Sequence, residues 1–277
     1  VFIFMIGIAF FSKSIPSISV STTTASSIQD STFPMVYLQV GESFINPLHG
    51  YSSELNSSTV RESITPLDTG KTFAVNIAEN DSKIKKLSYE LRDIANNKSI
   101  ETGDITAFDK NKKYKVATVH LKEAMDTSTE YGFCMTLITN YSKKIHFYTR
   151  IKYYDNDFFL SKKLDFVAKF HAATFDQGKS LDLSQYLESG TNDDSSYESV
   201  DIHSSRKLIT WGKLKPKKLT DVVPTVKELN IETAAISQTY FVSATTASGS
   251  ETYQVKEFYR VRYSGGRIYL LYFKRTM

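Results

Sequence analysis

Residues 257–275 read EFYRVRYSGGRIYLLYFKR, and this stretch decides how the C-terminal part of the chain folds. Aromatic, aliphatic and basic residues alternate on both sides of Gly265-Gly266, which is the pattern of two strands joined by a tight turn. A two-residue hairpin turn favours glycine because its central positions take positive φ. The sequence therefore predicts a β-hairpin with Gly265 and Gly266 at its tip.

A regular ladder gives this hairpin two different faces. One face is apolar, with cross-strand pairs worth about 0.2–1 kcal/mol each: Tyr263–Ile268, Val261–Leu270, Tyr259–Tyr272 and, at the open end, Glu257–Lys274. The other face pairs Phe258 with Phe273, Arg260 with Leu271 and Arg262 with Tyr269. That second face is either covered by a helix or offered to a ligand, so Arg260, Arg262 and Tyr269 are candidate ligand-binding residues.

The composition narrows the classes of function. The 277 residues include 18 Phe and 17 Tyr, which favours a β-rich protein. The formal net charge is only +4, so no global electrostatic attraction to nucleic acid is expected, and nucleic acid is not a predicted partner. The single cysteine, Cys134, excludes an internal disulfide and a multi-cysteine zinc site. It is interpreted as a small core side chain, with a reactive thiol as the alternative.

The N-terminal residues predict export. Residues 1–11, VFIFMIGIAFF, are uncharged and fit a truncated signal peptide or the end of a transmembrane helix; a buried segment of a soluble domain is the alternative. Because the chain begins with Val, we expect further sequence upstream. Residues 12–32 contain twelve Ser or Thr residues and predict a flexible stalk. The predicted location is extracytoplasmic, anchored to the membrane, or secreted if the apolar segment is cleaved.

Residues 33–155 predict a β-sandwich of immunoglobulin or fibronectin type III kind. Polar turn clusters separate at least six short strands: MVYLQV, TFAVNIAE, IKKLSYELRD, KYKVATVHL, YGFCMTLIT and IHFYTRIKYY. In the last of these, Ile145, Phe147, Thr149, Ile151 and Tyr153 share one face. The fold class is therefore mainly β, with an α+β part to follow.

Residues 156–277 predict that α+β module. The run DFFLSKKLDFVAKFHAATF has helical periodicity, with Asp157 or Ser161 as its N-terminal cap. A shorter helical piece, LDLSQYLES, is expected next, followed by strands at VDIHSS and RKLITWGKL and by a long antiparallel meander. This order of elements is similar to the cone-shaped fold of the nuclear transport factor family.

Three stretches carry a resemblance: VYLQVGESFINPLHGYSSELNSSTVRESITPL, ITWGKLKP and KEFYRVRYSGGRIYLLYFKR. Together they resemble large membrane-anchored extracytoplasmic proteins of Gram-positive anaerobic bacteria. The resemblance spans most of residues 33–277 and carries no catalytic motif. It implies a surface location and a longer parent chain.

Motifs for catalysis are missing from the sequence. The five histidines form neither H-x-H nor H-E-x-x-H, and Asp201 with His203 supplies only two of the three or four ligands of a zinc site. No G-x-S-x-G elbow and no phosphate-binding loop occur. Asp193-Asp194 lies in a polar loop and is interpreted as solvated, with a weak cation site as the alternative. We predict no catalytic residues, no metal site and no cofactor, although a triad of distant residues leaves no sequence motif.

Two further stretches supply candidate ligand-binding residues. Trp211 lies among six basic residues in RKLITWGKLKPKK, where it either stacks on a sugar or packs in the core above a lysine-rich edge. His49 and Tyr51 lie in NPLHGYSSELN, a predicted loop that is either functional or a plain connection.

These observations favour a non-catalytic, membrane-anchored extracytoplasmic protein with binding, spacer or adhesion modules. Its predicted partners are the membrane, through the N-terminal segment, and a cell-wall polymer or a surface protein. The alternative is an accessory region of an extracytoplasmic cell-wall hydrolase whose catalytic domain lies outside this sequence.

Overall fold

The computed structural model describes residues 33–56, 59–111, 113–188, 196–246 and 249–277. Strands make up 51% and helices 10%, in three sheets, so the predicted mainly β fold with a small α+β part is confirmed. The predicted apolar segment and stalk of residues 1–32, and Asp193-Asp194, lie outside the described residues.

The first two sheets come from residues 35–153 and pack face to face. The first has the order β2-β1-β4-β8-β7 and the second the order β3-β10-β9-β5-β6. Phe73 of the first sheet and Phe133 of the second meet edge to face at 5.2 Å in the shared core. The strands are β1 (Met35–Val40), β2 (Ser43–Leu48), β3 (Ile64–Leu67), β4 (Thr72–Ala78), β5 (Ile84–Asp93), β6 (Ser99–Ile105), β7 (Asp109–Lys110), β8 (Lys115–His120), β9 (Glu130–Thr139) and β10 (Lys144–Tyr153).

The side-chain period of two explains how these strands bury one face. In β10, Ile145, Phe147, Thr149 and Ile151 are all buried, as the alternation predicts. All six strands predicted in residues 33–155 are found as β1, β4, β5, β8, β9 and β10. Cys134 lies in β9 but is only half-buried, because it faces away from the shared core.

The third sheet has the order β11-β16-β15-β14-β12, and β13 also pairs with β14. Its centre is formed by the three longest neighbours, which are antiparallel throughout. The strands are β11 (Ser199–Asp201), β12 (Lys217–Lys218), β13 (Thr225–Leu229), β14 (Thr233–Thr246), β15 (Gly249–Ser264) and β16 (Arg267–Thr276).

The main helix, α1 (Leu160–Phe175), covers the inner face of this third sheet. Its Phe170 contacts Tyr259 and Phe273 at ring-centroid distances of 5.7 and 5.0 Å. The predicted caps are wrong: no side chain caps α1, and Asp157 instead accepts a hydrogen bond from the N–H of Phe159. Phe159 has a φ of 50°, a left-handed conformation that is unfavourable for an aromatic residue.

Two other predictions for this region need correction. The stretch at 206–214, expected as a strand, forms a short helix α2 (Arg206–Ile209), because Ser205 caps it by accepting a hydrogen bond from the N–H of Leu208. The helical piece expected at 181–189 is reduced to a 3₁₀ turn at Leu183–Gln185, capped by Asp182. In both segments the polar capping residue determines the secondary structure, and the pattern of apolar residues does not predict it.

Two buried polar side chains make long-range contacts: Asn46 joins the sandwich to β13 of the third sheet, and Lys163 joins α1 to the segment after β13. Asn46 is fully buried; its amide donates to the carbonyl of Ile64 at 2.8 Å and accepts from the N–H of Val226 at 2.8 Å. Lys163, also fully buried, donates to the carbonyls of Asn230 and Ile231 at 2.8 and 2.7 Å. The apolar core runs without a break through both parts. The module boundary near residue 155 stays a prediction.

Candidate functional site on the third sheet

The C-terminal hairpin contains a β-bulge that the sequence did not predict. Near the turn the predicted register is confirmed, with Tyr263 opposite Ile268, Arg262 opposite Tyr269 and Val261 opposite Leu270. Beyond Val261 the register shifts by one residue, so Tyr259 pairs with Phe273 and Glu257 with Arg275, and Arg260 with Tyr272.

The predicted pairs Tyr259–Tyr272, Glu257–Lys274, Phe258–Phe273 and Arg260–Leu271 are therefore wrong. Their physical reason is one extra residue, Leu271, on β16. Because side chains alternate between faces, an extra residue turns every following side chain to the opposite face. Leu271 and Tyr272 are consequently both exposed, and Phe273 and Arg275 point into the core.

On the inner face the bulge builds a buried polar cluster around Glu257. This carboxylate is 1% exposed and accepts hydrogen bonds from Nδ1 of His171 and from the hydroxyls of Tyr240 and Tyr259, each at 2.8 Å. Arg275 is fully buried beside it.

Helix α2 supplies the other partners of the guanidinium. Arg275 donates to the carbonyls of Leu208 and Ile209, both at 2.8 Å. Its guanidinium carbon lies 3.5 Å from the ring centre of Trp211, which is 1% exposed. The predicted ligand residue Trp211 thus lies inside the protein, on the inner side of the third sheet, as the core alternative described.

The electrostatics of the cluster fix its charges. Burial alone would raise the pKa of Glu257, but the nearby His171 and Arg275 and the hydrogen bonds outweigh it and lower that pKa below its ordinary value of 4.5. Burial, with the charge of Glu257, raises the pKa of Tyr240 and of Tyr259 above 10. Glu257 therefore stays ionised and both tyrosines stay neutral donors at neutral pH. The cluster is buried, and within it Nε2 of His171 and Nε of Arg275 have no hydrogen-bond partner from the residues that the structure describes.

The outer face of the same hairpin is exposed, basic and aromatic. We call it the basic–aromatic face and define it by the side chains of Phe258, Tyr269, Leu271 and Tyr272 together with Lys227, Lys256, Arg260, Arg262 and Lys274. The four apolar side chains are 37–43% exposed. The Phe258 and Tyr272 rings meet edge to face at 5.9 Å, and Arg262 lies 5.0 Å from the ring centre of Tyr269.

The cations of this face are largely without acidic partners. Among the described residues, Arg260 is the only one of the five in an ion pair, with Glu228 at 3.5 Å. Lys227 donates instead to the carbonyl of Glu62. The face therefore has an excess of positive charge, which would attract an anionic ligand and would do so less at high salt.

An open groove of about 760 Å³ crosses this face. Its floor is the strands β14 and β15, and Phe258 and Tyr272 lie beside Lys256, Arg260 and Lys274 along it. On a strand, alternate residues are roughly 6.8 Å apart, so the outward side chains of β15 repeat at that spacing. The groove is open to solvent and is lined by residues of the four neighbouring strands β13 to β16.

Only three of the six predicted ligand residues come together here: Arg260, Arg262 and Tyr269. His49 is exposed on the loop after β2, away from this sheet. Tyr51 pairs with His146 of β10, and its hydroxyl donates to Glu62 at 2.5 Å, a bond that raises its pKa to about 12. The loop that carries His49 and Tyr51 is therefore attached to the second sheet at Tyr51.

Sequence reasoning placed Phe258 on this face without naming it as a ligand residue, and it assigned Tyr272 and Lys274 to the opposite face. Phe258 and Tyr272 were assigned to pairs in a regular ladder, and the bulge that brings Tyr272 outward has no sequence signal except the consecutive apolar residues Leu270-Leu271-Tyr272. Lys227 comes from β13, a strand distant in sequence, and only the sheet pairing places it beside this groove.

Comparisons with known proteins do not identify the chain. No protein-family model matches it, and a search of curated proteins gave no match. Within the described ranges, no group of three or more His, Cys, Asp or Glu side chains is placed to hold a metal ion. The helices in the described part of the chain are all too short or too polar to span a bilayer.

Proposed function

We propose that this protein is a non-catalytic, membrane-anchored extracytoplasmic protein that binds a partner at the cell surface through the basic–aromatic face. The observation that carries the proposal is the exposed group of three aromatic rings, one leucine and five cations on one side of the third sheet. The apolar segment and Ser/Thr-rich stretch of residues 1–32 support the anchored location.

The composition of the face supports binding. Soluble monomers rarely leave contiguous apolar patches exposed, and interfaces are enriched in aromatic residues and arginine. Each of these rings is already more than half buried, so covering the rest contributes about 1 kcal/mol; three rings alone fall short of the roughly 8 kcal/mol of micromolar affinity, and the cations must contribute as well. The buried cluster around Glu257 supports a binding role over catalysis, because its ionisable groups are buried and already hydrogen-bonded.

We infer that the first two sheets are an immunoglobulin-like spacer. If β1 and β4 to β10 are lettered along the chain as A, B, C, C′, D, E, F and G, the sheets have the neighbour orders of that fold. The first sheet reads A-B-E-D (β1-β4-β8-β7), and the second reads G-F-C-C′ (β10-β9-β5-β6). This correspondence supports the inference, with β2 and β3 as additional strands. The likeness of the second part to a nuclear transport factor cone stays a prediction.

The experiment is a pull-down with the 277-residue chain, immobilised in detergent, against a cell-surface extract of the source cells. We expect a retained partner that is lost in the double variant Arg260→Ala/Arg262→Ala and kept in a double variant of two exposed sandwich lysines, Lys83→Ala/Lys143→Ala. Equal retention by both double variants would show that the face is not the binding surface. Protease treatment of intact cells tests the location: an external protein is cleaved.

The second candidate is an accessory region of an extracytoplasmic cell-wall hydrolase. The groove of the basic–aromatic face supports this candidate, because an accessory region holds polymeric substrate for a separate catalytic domain. The complete reading frame discriminates the two candidates, because a recognisable hydrolase domain in it would replace the first proposal. Hydrolysis assays with the 277-residue chain alone are expected to be negative under both candidates.

A further inference from the structure

We propose that the ligand of the basic–aromatic face is an acidic polysaccharide, an extended sugar chain that carries carboxylate groups. This inference rests on the proposed function and names the chemical class of its ligand. It follows from three features of the face: the pattern of its side chains, the shape of the groove and the state of its charges.

The pattern places one aromatic ring among three cations along β15, with two more rings beside them on β16. On the outer side of β15, Lys256, Phe258, Arg260 and Arg262 succeed one another at roughly 6.8 Å intervals. A sugar ring has an apolar face of C–H groups that packs on an aromatic ring, and a uronate sugar adds a carboxylate at its edge. Arginine pairs with carboxylate through two parallel hydrogen bonds. Such a chain therefore offers both chemistries at the spacing of single residues.

The shape of the groove favours a chain over a compact protein partner. Protein interfaces concentrate their energy in a few side chains that fill deep, fully desolvated pockets. Here the apolar side chains are 37–43% exposed and the rings already pack against neighbours: Phe258 against Tyr272, and Tyr269 against Arg262. The groove is open, and its rings and cations lie side by side on the sheet surface, so a partner is held on an exposed surface and not in a deep pocket.

The charges of the face specify an anion. Lys256, Arg262 and Lys274 have no ion-pair partner among the described residues, and Glu257, whose strand runs along the groove floor, points into the core through the alternation of β15. Glu228 pairs with Arg260 alone. The bulge at Leu271 leaves Tyr272 exposed between cations. A neutral glycan would leave the three cations without partners, and therefore would bind more weakly than its acidic counterpart.

Binding isotherms with the 277-residue chain in detergent test the inference, with defined polymers as probes. Polygalacturonate is expected to bind, dextran of the same length is not, and the affinity for polygalacturonate falls about tenfold or more on raising salt from 50 to 500 mM. Phe258→Ala/Tyr272→Ala and Arg260→Ala/Arg262→Ala are each expected to lose about tenfold or more in affinity, since 1.4 kcal/mol corresponds to tenfold. Lys83→Ala/Lys143→Ala removes the same charge from the sandwich and leaves the affinity unchanged.

Three results would overturn the inference. Polyglutamate bound as tightly as polygalacturonate, and insensitive to the ring substitutions, would show a face that recognises charge alone. Binding only to vesicles that contain anionic lipid would identify a membrane surface as the ligand. If no acidic polysaccharide binds but a pull-down partner still depends on Arg260 and Arg262, the ligand class is rejected and the proposed function stands. If neither a polysaccharide nor a pull-down partner binds through these arginines, both the ligand class and the proposed function are rejected.

Discussion

Replacing Glu257 by glutamine tests whether the buried cluster holds the third sheet together. The two oxygens of Glu257 accept three hydrogen bonds, one at Oε1 from Tyr240 and two at Oε2 from His171 and Tyr259. Glutamine has one oxygen and one NH₂ group of nearly the same size. With the NH₂ at the Oε1 position, the Tyr240 hydroxyl accepts from it and its own proton is left without an acceptor; with the NH₂ at the Oε2 position, it faces the Nδ1 donor of His171. Arg275, fully buried, loses its neighbouring negative charge.

The magnitude follows from these losses. Breaking a buried ion pair by removing one partner costs about 3–5 kcal/mol, and a domain of this kind has a total stability of about 5–15 kcal/mol. We therefore expect Glu257→Gln to lower the free energy of unfolding by about 3–5 kcal/mol at pH 7. The pKa of Glu257 is lowered in the folded state, so its contribution is full above pH 4.5 and is lost as the pH falls through the lower, folded value. The difference between the two proteins should accordingly shrink in acid.

Urea denaturation at pH 7 and at pH 3–4, followed by tryptophan fluorescence of Trp211, measures both effects. Tyr240→Phe is the matched variant, because it removes one donor and keeps the carboxylate; it should cost about 1.5–3 kcal/mol. The double variant has no Tyr240 hydroxyl whose proton could be left without an acceptor, so its cost should be less than the sum of the single costs. A loss below about 1 kcal/mol for Glu257→Gln, or a difference that grows in acid, would refute the description of the cluster.

Three further predictions concern the fold. Burial lowers the pKa of Lys163 to about 8, so between pH 8 and 10.5 the unfolded chain binds more protons than the folded protein. The free energy of unfolding of the wild type, measured with urea or heat, should therefore rise with pH in this range relative to that of Lys163→Met. A fall would contradict the prediction. Asn46→Ala should lower the free energy of unfolding by about 3–6 kcal/mol, because it removes two or three buried hydrogen bonds. Asn46→Gly should cost about 1 kcal/mol less, because the backbone φ of 51° at this position strains alanine and not glycine. Equal costs for the two variants would exclude backbone strain. Deleting Leu271 makes Val261–Leu270 and Arg260–Tyr272 consecutive pairs of a regular ladder, so Phe273 and Arg275 should stay inward and urea stability should change by less than about 1 kcal/mol, as should Leu271→Ala. A loss of more than about 5 kcal/mol in the deletion variant would refute the bulge.

The sequence predicted those elements whose pattern is local. Strict alternation identified β10, and the glycine pair identified the turn of the hairpin, because side-chain period and positive φ are properties of neighbouring residues. The helix at 160–175 followed from its apolar stripe. The same local rules failed at 206–214, where an apolar–basic alternation suggested a strand and the cap by Ser205 produced a helix.

Features that depend on distant residues were not predictable in this way. The bulge at Leu271 is favoured by burial of Phe273 and Arg275 beneath α1 and α2, elements about 60 to 110 residues earlier in the chain. Lys163 and His171 interrupt the apolar stripe of α1. The partners of Lys163 are carbonyls in the segment after β13, and the partner of His171 is Glu257; both are distant in sequence and come close only in the folded protein. Arg262 and Tyr269 share the predicted face because they lie near the turn, where the predicted register was right, and Arg260 shares it because the alternation of β15 is not changed by the bulge on β16.

Hydroxyl-radical footprinting of the 277-residue chain with its retained cell-surface partner tests the central claim most directly. Radical modification reports the solvent exposure of each aromatic side chain. We predict that Phe258, Tyr269 and Tyr272 become protected when the partner binds, that the exposed sandwich residue Tyr141 stays reactive, and that the buried Trp211 is unreactive throughout. Protection of Tyr141 with unchanged modification of Phe258, Tyr269 and Tyr272 would contradict the assignment of the basic–aromatic face as the binding surface.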